Sequence, residues 1–123
     1  MLNIYAGWIG FLLGCIFGAV QGLFFHKQDW LGGYNSWQRR ITRLGHISFF
    51  GLGFINLAFA LTVRSLNIQD GTEISSYLLI LGLITMPLFC YLSAIKEVFR
   101  QLFFIPTTSV VLAIIMLIWR LTQ

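Results

Sequence analysis

Apolar residues occupy four long blocks of this chain, 4–25, 44–63, 74–95 and 102–119, and no charged side chain interrupts any of them. A helix rises about 1.5 Å per residue, so about 20 residues cross the hydrocarbon of a bilayer. Each block is close to that length. Backbone inside lipid must satisfy its own hydrogen bonds, which leaves helices and closed barrels as spanning structures. Barrel strands are about 10 residues of alternating polarity, whereas these blocks are longer and do not alternate. The pattern predicts an all-α fold: a single transmembrane domain over 1–123, built as an up-down four-helix bundle, with 26–43 as an interfacial cytoplasmic segment.

Composition agrees with the pattern. Charged residues make up 10% of the chain, against about 25% in soluble domains. The few cations are placed unevenly. Lys27, Arg39, Arg40 and Arg43 lie between the first two blocks and Lys96 and Arg100 between the last two, leaving Arg64 and Arg120 for the other side. By the positive-inside rule this predicts a cytoplasmic 26–43 segment and both termini on the non-cytoplasmic side. Tyr5, Trp8, Tyr77 and Trp119 then fall together near the outer boundary, where amphipathic rings collect. A basic cluster beside a span contacts anionic lipid, so lipids are expected partners and nucleic acid is not.

Within 26–43, Trp30, Tyr34, Trp37 and Ile41 recur at steps of four, three and four. That spacing predicts a short helix lying flat at the head-group level, broken by a turn at Gly32-Gly33. In the first block Gly10, Gly14, Gly18 and Gly22 follow one another at every fourth position, with Gly7 just before them. Lipid provides no hydrophobic drive between helices, so small residues that let backbones approach must supply the packing. This glycine zipper is the expected helix-packing face. Cys15 and Cys90 are read as small apolar packing residues.

Polar residues inside the blocks are the best pointers to function. Gln21, Ser48, Asn56, Thr85, Tyr91 and Thr107 are the candidates. Counted from the cytoplasmic ends, Asn56 and Thr85 fall about 18 Å and 15 Å deep, which predicts a hydrogen bond between them near the midplane. Gln21, Ser48, Tyr91 and Thr107, with His46 and Ser93, fall in a layer nearer the cytoplasm. His26 and His46 are the only histidines. Two neutral imidazoles on neighbouring helices can ligate one haem iron, with Arg39, Arg40 and Arg43 to pair its propionates. Haem b or a quinone is therefore the candidate cofactor.

What is missing narrows the classes. No Asp or Glu lies within a block, and no P-loop, metal cluster or nucleophile set stands out. An enzyme is not expected. The leading expectation is a small non-catalytic subunit that packs with other membrane subunits in a larger complex, respiratory or photosynthetic, in the bacterial inner membrane or an equivalent energy-transducing membrane. The alternatives are an electron-transfer subunit holding haem b or quinone through His26 and His46, and a homo-oligomeric channel or carrier with a pore along Asn56, Thr85 and Thr107–Ser109.

Overall fold

A computed structural model describes residues 1–68 and 70–123. These form four α-helices, α1 (Leu2–Gly22), α2 (Trp37–Ser65), α3 (Glu73–Ile95) and α4 (Phe104–Leu121), with 3-10 turns at Trp30–Gly32 and Glu97–Phe103. With the second 3-10 turn counted into α4, all four are long and apolar enough to cross a membrane.

The largest difference from the sequence pattern is where α2 starts. Ser36 caps it, its hydroxyl accepting from the Arg39 N–H at 3.2 Å, so the chain is already helical at Trp37. The basic stretch 37–43 therefore continues α2 and is not a separate flat helix. At 29 residues, α2 is about 43 Å long, well over the roughly 30 Å hydrocarbon thickness. Before it, Leu31, Gly32 and Gly33 all have positive φ, and Gly32-Gly33 makes the turn that the pair of glycines predicts. At the other end Asn67 is left-handed and the Ile68 N–H reaches back to the Val63 carbonyl at 3.1 Å, a Schellman closure with asparagine in the position glycine usually takes.

The helices are arranged as an open row. α1 packs on α2, α2 on α3 and α3 on α4; α1 also touches α3, while no Cα of α4 comes within 8 Å of α1 or α2. This differs from a closed bundle, in which α1 and α4 would also meet. Phe59, Val63, Leu79 and Ala113 form the apolar knot that joins α2, α3 and α4. Pro87 lies buried within α3, and Pro106 is in the first turn of α4, where its missing N–H costs little.

Side chains are sorted in the reverse of a water-soluble protein. Asn3, Asn56, Ser75, Ser93 and Ser109 are buried, as are Gly7, Gly10 and Gly14. Trp8, Ile9, Leu12, Phe54, Ile84, Ile115 and Trp119 are exposed. A soluble monomer seldom exposes apolar patches of more than a few hundred Å². Here the outer surface is apolar along every helix.

Small residues allow the close contacts in the row. A Cβ on Gly7 would come within 2.5 Å of Leu57 Cγ and 2.9 Å of the Gly53 carbonyl. One on Gly10 would sit 3.2 Å from the Phe49 carbonyl and from Leu83 of α3, one on Gly14 would strike the Phe50 ring, and one on Gly18 would overlap His46 Nε2. Gly22, the last in the predicted series, meets nothing within 4 Å. The tight face is thus displaced by one helical turn toward the N-terminus.

Candidate functional site

α1 and α3 are pinned to each other at both ends by polar groups, and an apolar groove runs between the pins. At one end Asn3 is fully buried. Its amide donates to Asn56 Oδ1 at 2.8 Å and to the Ser76 carbonyl at 3.2 Å, while its own oxygen accepts from the Ser76 hydroxyl. Asn56 in turn donates to the Leu52 and Leu79 carbonyls at 2.9 and 3.2 Å. Three helices are tied here, and every side-chain polar atom of the two asparagines has a partner.

Asn56 is therefore level with the first turn of α1, not at mid-depth, and it does not bond Thr85. Thr85 donates to the Leu81 carbonyl of its own helix. The depth count assumed that every helix begins at one plane, which the early start of α2 breaks. Asn3, the partner that matters, sits at the very start of the chain, where the apolar pattern gives no reason to expect burial.

The opposite pin is built from Gln21, Thr42 and Tyr91. Gln21 Nε2 donates to the Tyr91 hydroxyl at 2.7 Å and to the Thr42 carbonyl at 3.4 Å. Tyr91 stacks on Phe17, with ring centroids 5.0 Å apart, and Phe17 stacks on Phe49 at 5.3 Å. Trp37 Nε1 donates to the Ser93 carbonyl at 3.3 Å, joining α2 to the end of α3. Gln21 and Tyr91, both picked out from the sequence, come together here. Ser48 and Thr107, expected in the same layer, instead donate to carbonyls of their own helical segments, at Gly45 and Phe103.

Beside this pin Arg39 is 3% exposed. Its guanidinium donates to the Phe25 and Lys27 carbonyls at 3.0 and 3.2 Å and lies 5.4–6.0 Å from the ring centres of Trp30, Phe25 and Tyr34. An arginine face on aromatic rings gains cation–π attraction that grows with desolvation. Arg39 thereby holds the 25–34 connection against the end of the row. Arg43 covers Tyr34 from 4.6 Å, whereas Arg40 is exposed. Gln21 Oε1, Arg39 Nε and Ser93 Oγ are buried here without a hydrogen-bond partner.

The two histidines are not brought together. His26 is exposed on the turn after α1. His46 lies edge-on to Phe50 with its Nε2 against Gly18 inside α1, whereas His26 follows the end of that helix at Gly22. The close approach that Gly18 permits is filled by the His46 imidazole itself, and Arg39 Nη2 donates to the Phe25 and Lys27 carbonyls. Among the described residues no three or more His, Cys, Asp or Glu side chains come together as metal ligands would. Cys90 is buried and Cys15 exposed.

Between the pins lies a groove of about 800 Å³. It extends from Leu2, Tyr5 and Tyr77 at one end to Phe17, Leu88 and Tyr91 at the other, with Phe49 of α2 as its back wall. A second, smaller cleft of about 330 Å³ opens between α2 and α4, around Ser48, Gly51, Leu52, Thr107 and Val111. Gly51 at its centre meets nothing within 4 Å. Compared with known protein families, characterised proteins and solved structures, the chain matches none.

Proposed function

We propose that this protein is a non-catalytic integral membrane subunit that packs against a helix of another polypeptide through the α2–α4 cleft. The observation that carries the reading is Gly51. Glycine within a helix costs about 1 kcal/mol relative to alanine in water, and most of the other helical glycines are met closely by their own chain. Gly51 is not: it forms an open notch with Ser48 and Thr107 in an otherwise apolar wall. Small residues at such a notch let a neighbouring backbone approach, which is how helices associate in lipid.

Consecutive helices meet in reversed order, Gly7 with Leu57 and Gly18 with His46, Asn56 with Leu79 and Gly45 with Cys90, Leu78 with Ser109 and Gly82 with Pro106. That order supports an up-down path with both termini on one side. The cluster of Lys27, Arg39, Arg40, Arg43, Lys96 and Arg100 at the opposite end supports a cytoplasmic placement for that end, in a bacterial plasma membrane or an equivalent energy-transducing one.

Affinity purification in mild detergent tests the assignment. The wild type is expected to bring a stoichiometric membrane polypeptide with it, and Gly51→Leu to lose that polypeptide while keeping its helicity. A wild-type protein that purifies alone as a folded monomer would contradict it.

A further inference from the structure

We propose that Arg40, Arg43 and Tyr34 form a binding site for the phosphate of an anionic phospholipid, whose acyl chain lies along the exposed stripe of α2 that continues from Arg43.

The arginines at this end of the row are not equivalent. Arg39 spends its guanidinium on the Phe25 and Lys27 carbonyls. Arg100 pairs with Glu97 at 3.4 Å, the one salt bridge among the described residues. Arg40 and Arg43 have neither kind of partner: no described carboxylate pairs with them, and no described acceptor takes one of their side-chain N–H groups. Asp29, the acid closest in sequence, is exposed and bridges to neither.

Positive charge is crowded here. Residues three and four apart on a helix are neighbours, and like charges at those spacings repel. Arg43 stands four residues from Arg39 and three from Arg40. Arg39 and Arg43 also share one ring, their guanidinium carbons lying 6.0 and 4.6 Å from the centre of Tyr34. An anion between Arg40 and Arg43 offsets that repulsion, and guanidinium forks match the oxygens of a phosphate. The hydroxyl of Tyr34, itself exposed and without a described partner, is a further donor to it.

The surroundings select the kind of anion. Four and eleven residues beyond Arg43, α2 exposes Ile47 and Phe54, and the turn held by Arg39 exposes Leu23, Phe24 and Phe25. The free guanidiniums thus stand where an apolar outer surface gives way to charge, the level of lipid head groups. A small soluble anion would leave the apolar stripe uncovered, whereas a phospholipid covers both parts. A zwitterionic head group carries its own cation. The site offers that cation no carboxylate, and Arg43 already occupies the ring of Tyr34. The match is to a head group of net negative charge.

The test uses the full chain in phosphatidylcholine vesicles containing phosphatidylglycerol, with bromine on the acyl chains of one lipid or the other. Phe54→Trp, in a chain whose native tryptophans are replaced by phenylalanine, reports which lipid lies on the stripe. Each arginine near an anionic lipid surface is worth about fivefold, so phosphatidylglycerol is expected to bind about 25 times more strongly than phosphatidylcholine. Arg40→Gln or Arg43→Gln is expected to lower that preference to about five. Arg43→Lys, which keeps the charge, should retain most of it, and Arg100→Gln should leave it unchanged. Circular dichroism checks folding, and if Arg43→Gln loses helicity, the exposed Arg40 decides alone. Equal binding of the two lipids, as expected if these cations serve an acidic segment of a partner protein, would overturn the proposal. So would an equal preference reported by Ile115→Trp on α4, which would mark a diffuse attraction, or a preference that survives Arg40→Gln and Arg43→Gln together.

Discussion

The two pins that join α1 to α3 use similar amides and reach different states. At the Asn3 end each amide group is consumed: two asparagines and Ser76 share hydrogen bonds with three helices. At the Gln21 end three buried polar atoms are left over. The first is a clamp, with nothing to offer a ligand. The second holds the same two helices with fewer bonds and leaves Gln21 Oε1 unpaired, beside a cation fixed by aromatic rings and backbone carbonyls.

If that contrast is correct, substitutions should have graded effects. The largest falls on the packing that both pins depend on. Gly7→Leu places a side chain against the Gly53 carbonyl, and backbone cannot move aside as a side-chain tip can. A loss of about 3 kcal/mol is expected in reversible unfolding in detergent, whereas Gly22→Leu, in open space, should change stability by less than about 0.5 kcal/mol. Equal effects at the two positions would mean that α1 does not lie against α2 in this register.

Next comes the clamp. Asn56→Leu removes three hydrogen bonds, for an expected loss of about 1.5 kcal/mol, near the upper end for bonds between membrane helices. A double-mutant cycle with Asn3→Ala should show coupling above about 0.5 kcal/mol. Additive losses would separate the two asparagines.

At the open pin, Gln21→Leu should cost only about 0.6 kcal/mol, because half of that amide is unpaired already. Arg39→Met should have little effect on global stability, since an apolar isostere can replace a buried cation at small net cost. It should instead release the Phe25 and Lys27 carbonyls and raise amide exchange across 25–34 about tenfold. Unchanged exchange there would mean that Arg39 does not hold the connection.

Much of the fold could be read before any coordinates. Four uninterrupted apolar blocks can satisfy their backbone in lipid only as helices. What could not be read depends on distances along the row. The cap at Ser36 starts α2 before its apolar block, which moves Asn56 away from Thr85 and toward Asn3. A lone asparagine at the head of a chain carries no periodicity, so its burial has no signal in the pattern. A count along the chain puts His26 and His46 near one level, but it cannot show that Gly18 leaves space for the Nε2 edge of the His46 imidazole against α1. Gln21 and Tyr91 were legible as a polar layer, though not as the end of a groove.

The account rests on lipid being the solvent for the outer surface, and single-tryptophan variants quenched by brominated acyl chains measure that directly. With the native tryptophans replaced by phenylalanine, Phe54→Trp, at a position 63% exposed, should be quenched strongly, and Phe59→Trp, at a position 3% exposed, hardly at all. Equal quenching at the two positions, or a folded protein that remains monodisperse without detergent, would contradict the account.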